Sequence, residues 1–236
     1  MKGAIFDWDG TLSHIDDREF YCINQTLKLH QAKTIDRKFY IENFYQRAYE
    51  IGTGPRIVLE AALSGDNRVP VEQAYETYTK LFRDNIDKTE LQKGALEILA
   101  VLRRRGFRLG IATMRSTRSV VAKELDFMKV SPFVETFLTR EDLGPSQALE
   151  SLVEIIQKRA QLVTRTLNQL KLRVEDAFLV GDSWWDVRAG KSPGIKTVLV
   201  RTGFSLYNNF SNENPDITVD SLDNLRDRLE SNGWTL

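Results

Sequence analysis

The chain has 236 residues, of which 42% are hydrophobic and 28% are charged, a composition typical of a globular protein with a sizeable core. Basic and acidic residues both number 33, so the formal net charge is zero and no overall field favours a nucleic acid or membrane partner. Cys22 is the only cysteine, which excludes an internal disulfide and a cysteine-based zinc cluster. Strand-like residues begin at Lys2 and no apolar stretch is long enough to cross a bilayer, so we expect no signal peptide and a cytoplasmic location.

The first predicted element is a strand at residues 4–6 that runs into two carboxylates, Asp7 and Asp9, and then into the turn at residues 10–11. Residues two apart in a strand share a face. Both side chains can therefore point into one small volume as the chain leaves the strand. Two carboxylates that close together need a cation, a shared proton or a reaction that uses them, so this segment is the strongest indication of function.

The next segment, residues 13–88, has helical patterns and no strand pattern. Four helices are predicted there, at residues 16–30, 36–50, 55–63 and 70–86. Aromatic residues at helical spacing predict the core of a small bundle. An all-helical insert directly after the aspartate pair is typical of a cap domain that closes over a site. We therefore predict a core of residues 1–12 and 89–236 and a helical cap of residues 13–88.

The rest of the chain alternates between predicted helices and strands. Further strands are predicted at residues 107–112, 133–138, 177–180 and 197–200, and further helices at 94–105, 116–125 and 222–230. This alternation predicts an α/β fold, a Rossmann-like parallel sheet with helices on both faces. Ligands of such sheets bind at the carboxyl ends of the strands.

Polar residues follow two of these later strands. Thr113 and Met114 follow the second strand, at the start of a helix, where a hydroxyl and free N–H groups suit a phosphate. Asp182 and Asp186 follow the fourth strand. Together with Asp7 they form an oxygen-rich set of the kind that suits Mg²⁺.

The order of these motifs resembles the haloacid dehalogenase superfamily, and within it the hydrolases of the phosphoglycolate phosphatase type, which carry a helical cap. The resemblance rests on three motifs: D-x-D-G-T-L from Asp7, a threonine after the second strand, and G-D-x-x-x-D ending at Asp186. It implies a Mg²⁺-dependent phosphatase that acts on a small phosphorylated metabolite through an aspartyl-phosphate. The oligomeric state is left open.

The resemblance also implies roles for individual residues. Asp7 would attack phosphorus, and Asp9 would protonate the leaving group and then activate water. Thr113 and the Met114 N–H would hold phosphate oxygens. Asp182 would bind Mg²⁺ together with the Asp7 carboxylate and the Asp9 carbonyl, while Asp186 would hold the metal's shell or brace a catalytic lysine.

That lysine is the one element out of place. Lys158 lies at about the family spacing before Asp182, but a steady apolar repeat predicts one long helix through it. Either residues 146–157 are an insertion and Lys158 is the catalytic cation, with Arg140 or Lys191 as substitutes, or Lys158 is a solvated helix residue. Arg56, near the position of the family's specificity loop, is a candidate substrate-binding residue.

Two alternatives to a phosphatase stay open from the sequence. One is a phosphomutase of the β-phosphoglucomutase type, which would return the phosphoryl group to a sugar. The other is a phosphate-binding or regulatory protein that kept the fold but lost turnover because the catalytic lysine is missing.

Overall fold

The computed structural model describes residues 2–48, 54–66, 68–144 and 151–232. The chain divides into two compact units, one of Met1–His14 and Leu91–Leu236 and the other of Ile15–Glu90. These boundaries lie two residues from those predicted for the core and the cap. In the described ranges, no helix combines the length and the apolar character needed to cross a membrane.

The first unit contains a six-stranded sheet. The strands of the chain are β1 (Gly3–Phe6), β2 (Ser13–His14), β3 (Glu90–Leu91), β4 (Arg108–Ala112), β5 (Thr136–Leu138), β6 (Ala177–Gly181), β7 (Lys196–Val200) and β8 (Ile217–Val219). The sheet has the order β5-β4-β1-β6-β7-β8, and every neighbouring pair is parallel. The predicted parallel α/β architecture is confirmed. Strand β8 was not predicted because an apolar run of only three residues does not stand out.

Helices cover both faces of this sheet. Within the described ranges the α-helices are α1 (Asp16–Leu29), α2 (Arg37–Ile41), α3 (Pro55–Ala62), α4 (Val71–Asp84), α5 (Ala95–Arg104), α6 (Arg118–Phe127), α7 (Leu152–Gln169), α8 (Trp184–Lys191), α9 (Gly203–Tyr207) and α10 (Leu225–Ser231). Ala4 and Phe6 of β1 share a buried cluster with residues of α5, α6 and α10. Ile5 packs on the other face with residues of α7, as the alternation of side chains along a strand requires.

The second unit holds α1 to α4, and the prediction of a helical insert is confirmed. Helix α2 continues as a π-helical stretch, Glu42–Gln46, whereas the sequence predicted one helix over residues 36–50, the last two of which lie outside the described residues. Aromatic side chains form much of the unit's interior; Tyr40, Phe44, Tyr45, Tyr78 and Phe82 are all buried.

Candidate active site at the carboxyl ends of the strands

Three aspartates meet at one edge of the sheet. Asp7 follows β1 and Asp182 follows β6, and these strands are neighbours. The Asp7 N–H donates to the Val180 carbonyl at 2.9 Å, which extends the pairing beyond the strand. Asp186 lies in the first turn of α8. Carboxylate oxygens of Asp7, Asp182 and Asp186 lie within 4.8 Å of one another, and all three residues are buried. The fold therefore brings together the three acidic residues that the sequence placed at strand ends.

Asp182 is fixed by two hydrogen bonds. The Thr11 hydroxyl donates to Oδ1 at 3.0 Å, and the Phe204 N–H donates to Oδ2 at 2.7 Å. Gly10 packs directly against this carboxylate with φ +80°, and a Cβ there would lie 2.5 Å from Asp182 Oδ2. Only glycine combines this left-handed backbone with so close an approach.

The cation of the cluster is Arg159, so the prediction that Lys158 supplies it is wrong. The Arg159 Nη2 lies 2.8 Å from Asp7 Oδ2, and the arginine side chain is 3% exposed. Its Nε donates to Asp186 Oδ1 at 2.5 Å. Lys158 instead pairs with Glu154 one turn earlier, at 2.7 Å between Nζ and Oε1. Helix α7 runs through both positions without a break.

The helical repeat explains the difference. Ile156, Ala160 and Val163 lie on the inward side of α7. Lys158 is two positions from both Ile156 and Ala160, and a helix with 3.6 residues per turn places it on the opposite side. Arg159 precedes Val163 by four positions and so lies beside the apolar stripe. A charged residue in that register was the signal that could have identified Arg159.

The substitute cations are placed elsewhere. The Lys191 ammonium donates to the Glu213 carbonyl, and Arg140 begins a short 3₁₀ turn after β5. Among the described residues, neither forms an ion pair with the aspartate cluster. Of the proposed insertion over residues 146–157, residues 146–150 lie outside the described residues, and the remainder belongs to the capping residue Ser151 and to α7.

Asp186 braces Arg159 and caps its own helix. Its Oδ2 accepts a hydrogen bond from the Ser183 N–H at 3.1 Å and another from the Ser183 hydroxyl, which completes a capping box at the start of α8. Its Oδ1 accepts from Arg159. Asp186 therefore holds the cation of the cluster, which is one of the two roles predicted for it, and its contact with a metal stays a prediction.

Burial dominates the electrostatics of the cluster. It raises the pKa of Asp7 to about 7, against the opposing effect of the Arg159 guanidinium, and the nearby Asp186 and Asp9 carboxylates add to the rise. Burial also raises the pKa of Asp182 well above its ordinary value, with contributions from Asp186 and Asp7. One guanidinium cannot neutralise three carboxylates, so the ionised cluster carries excess negative charge. A buried, oxygen-rich set with this charge fits Mg²⁺.

The Asp9 carboxylate lies outside the cluster. Its Oδ2 is 3.1 Å from Arg115 Nε, and its Oδ1 accepts a hydrogen bond from the Ser13 hydroxyl at 3.3 Å. The prediction of a metal contact concerns the Asp9 backbone carbonyl and stays a prediction. The sequence did not single out Arg115, because a charged residue three places after a strand is usually solvated.

Thr113 and Met114 follow β4, the neighbour of β1 on the side away from β6. Thr113 is buried, and its hydroxyl accepts a hydrogen bond from the Arg115 N–H at 3.3 Å. Met114 is partly buried against the sheet. The sheet order therefore places Thr113 at the same edge as Asp7, which is compatible with the predicted phosphate-holding role.

Arg56 belongs to the second unit and lies at the surface of α3. Its Nε is 3.0 Å from Glu60 Oε1, and the guanidinium also pairs with Glu72. Two carboxylates thus already occupy this side chain, and its assignment to substrate binding stays a prediction.

The chain is similar to known proteins over most of its length. The profile of the haloacid dehalogenase-like hydrolases matches residues 4–200. Phosphoglycolate phosphatase 1 of Pseudomonas aeruginosa is 26% identical over 185 residues, which are 76% of this chain and 63% of that protein. Pyrophosphatase PpaX of Bacillus cereus is 25% identical over 227 residues, 95% of this chain and 94% of the other.

Solved structures share the fold over nearly the whole chain. A haloacid dehalogenase-like family hydrolase from Streptococcus pneumoniae has a TM-score of 0.72 at 18% identity and covers 96% of this chain and 97% of its own. CbbY from Rhodobacter sphaeroides, determined in complex with phosphate, has a TM-score of 0.71 at 19% identity, covering 95% and 96%. Because the family profile spans most of the chain, including the three clustered aspartates and Arg159, the protein belongs to the haloacid dehalogenase-like hydrolases.

Proposed function

We propose that this protein is a Mg²⁺-dependent phosphatase that hydrolyses a small phosphorylated metabolite through an aspartyl-phosphate on Asp7. The observation that carries the proposal is the buried Asp7 carboxylate, 2.8 Å from the Arg159 guanidinium and in one cluster with Asp182. The names of the two relatives, a phosphoglycolate phosphatase and a pyrophosphatase, support a phosphatase reaction, and both named substrates are included in the substrate test.

The first step is attack by an Asp7 oxygen on phosphorus. A carboxylate and a phosphate repel each other, so the reaction needs positive charge at their meeting point. Arg159 supplies part of that charge, and Asp186 holds its guanidinium in place. Mg²⁺, when bound by the carboxylates of Asp7 and Asp182 and by the Asp9 carbonyl, would supply the remaining charge and orient the phosphate.

Asp9 acts as the general acid in one step of the reaction and as the general base in the other. It donates a proton to the leaving oxygen in the first step and takes one from the attacking water in the second. Thr113 and the Met114 N–H hold the other phosphate oxygens. An acid at this position favours phosphoryl transfer over dehalogenation, because a halide leaves without protonation.

Arg159 also bears on the non-catalytic alternative. That alternative depended on the absence of a cation beside the nucleophile, and the Arg159–Asp7 ion pair removes its basis. The phosphomutase alternative gains no support from a described contact. We therefore favour hydrolysis.

The test is hydrolysis of p-nitrophenyl phosphate with Mg²⁺, with Asp7→Asn as the control variant. Phosphoglycolate, inorganic pyrophosphate and hexose phosphates then serve as a first panel for the natural substrate. We expect turnover that EDTA abolishes, and none in Asp7→Asn. Equal rates in the wild-type protein and Asp7→Asn would contradict the proposal, and transfer of phosphate to a sugar would favour the mutase.

A further inference from the structure

A chain of polar contacts leads from Asp9 into the protein interior. The Asp9 carboxylate meets the Arg115 guanidinium, 3.1 Å away. The Arg115 Nη2 donates to both carboxylate oxygens of Glu124, at 2.6 and 2.8 Å. The Trp8 indole N–H donates to Oε2 of the same Glu124 at 2.9 Å. We propose that Arg115 is a positioning residue for Asp9, held in turn by Glu124 and Trp8; this inference rests on the proposed function.

The burial of Glu124 is the first support. Its side chain is 0% exposed, and a buried carboxylate is costly unless it is paired and hydrogen-bonded. Arg115 and Trp8 together provide that pairing. Because breaking it would leave a buried charge without a partner, the Arg115 side chain has little freedom to leave Glu124.

The second support is that different nitrogens of the Arg115 guanidinium contact Glu124 and Asp9. Its Nη2 donates to Glu124, while its Nε lies 3.1 Å from Asp9 Oδ2 in an ion pair. The group is planar and rigid, so the anchor at one edge fixes the other. The Ser13 hydroxyl contacts the second oxygen of Asp9, and the carboxylate is thereby held at both oxygens.

The position of Trp8 is the third support. It stands between Asp7 and Asp9 in the sequence and is fully buried. Its indole bonds to the same Glu124 that holds Arg115. The Glu124 carboxylate thus bonds both to Trp8, which lies between the two aspartates, and to Arg115. Arg115 in turn contacts Asp9.

The expected effect follows from the need for close alignment in proton transfer. A displacement of about 1 Å can cost on the order of 10²-fold in rate. We therefore expect Arg115→Gln to lower kcat by about 10- to 100-fold on an alkyl phosphate, with a smaller change in KM. On 2,4-dinitrophenyl phosphate, whose leaving group needs no proton, we expect a clearly smaller loss. Arg115→Lys, which keeps the charge, should recover part of the rate.

A double-mutant cycle with Asp9→Asn, measured on p-nitrophenyl phosphate, separates positioning from a purely structural role. If Arg115 acts through Asp9, Arg115→Gln should cost less than about 2-fold once Asp9 is already changed. A structural role predicts the same factor in both backgrounds, and that result would overturn the proposal. Should Arg115→Gln fold poorly, the double variant Arg115→Gln/Glu124→Gln removes the unpaired charge and takes its place in the cycle.

Arg118→Gln is the matched control. Arg118 is the first residue of α6, the helix that carries Glu124. It pairs with Asp142 at 2.8 Å, but it has no described contact with Asp9. We expect wild-type kcat on every substrate, and a leaving-group-dependent loss equal to that of Arg115→Gln would refute the assignment. An inactive wild-type protein would overturn the proposed function and this role together, whereas an active protein with additive losses would overturn this role alone.

Discussion

Substitution of Arg159 should lower both Tm and turnover strongly, whereas substitution of its neighbour in α7, Lys158, should change neither by much. Arg159→Met removes the only described cation in contact with Asp7 and Asp186 while keeping much of the side-chain volume. Breaking a buried ion pair by removing one partner costs roughly 3–5 kcal/mol of unfolding free energy. For a protein of this size each kcal/mol lowers Tm by about 2–4 °C, so we expect a fall of roughly 6–20 °C in EDTA at pH 8.

Lys158→Ala removes a partly exposed pair with Glu154, one helical turn away. Such pairs contribute about 0.3–0.5 kcal/mol, so Tm should change by less than about 2 °C. Turnover should be unchanged in Lys158→Ala. In Arg159→Met it should fall by about 10²- to 10³-fold, the usual cost of losing one group that stabilises transition-state charge.

Arg159→Lys tests whether charge alone is enough. An ammonium is a compact point charge and cannot span two carboxylates with a planar fork, so only a partial rescue of kcat is expected. The assays are thermal unfolding followed by circular dichroism and steady-state hydrolysis of p-nitrophenyl phosphate. A large loss of turnover in Lys158→Ala, together with little change in Arg159→Met, would refute the reasoning.

The described geometry leads to four further predictions. Mg²⁺ should raise Tm at pH 8, and the rise should shrink as pH falls through about 7, because the proton that Asp7 then binds competes with the metal. In EDTA the free energy of unfolding should fall as pH rises from 3.8 to about 7. In that range Asp7 has lost its proton in the unfolded chain but still holds it in the folded protein. A Mg²⁺ effect independent of pH would contradict this. Gly10→Ala should weaken Mg²⁺ binding, measured by calorimetry, because its Cβ meets Asp182, whereas Gly106→Ala, with the same φ of +80° and open space around it, should not; equal losses would show that backbone strain alone is responsible. Cys22 should react with iodoacetamide only after unfolding, because it is buried and burial raises its pKa to about 12, and rapid labelling of the native protein at pH 8 would contradict this.

The sequence predicted those features that depend on the pattern of a short segment, such as site residues that directly follow a strand. Asp7 and Asp182 stand directly after apolar runs, and parallel strands bring such positions to one edge whatever the details of the loops. The helical insert was readable because its residues change period from that of a strand to that of a helix. These are properties of short segments, which the order of residues displays directly.

Contacts between distant segments were not readable in the same way. Nothing near Asp9 in the sequence indicates that its partner is Arg115, or that Glu124 anchors that arginine. Lys158 was proposed as the cation from the family spacing. The apolar repeat predicted a helix through this residue, and the register of that helix places Arg159, which the sequence did not single out, beside the buried side. Strand β8 was missed because an edge strand of three residues carries too little pattern.

The Phe204 N–H, which donates a hydrogen bond to Asp182, comes from a segment that follows the end of the family match at residue 200. The donor of this bond is a backbone group, so substitution of the Phe204 side chain leaves it in place, and among the common residues only proline would remove it. The contact therefore tolerates sequence drift but not a deletion that shortens the turn. Loop length in this segment offers a means of changing metal affinity without altering any charged residue of the cluster.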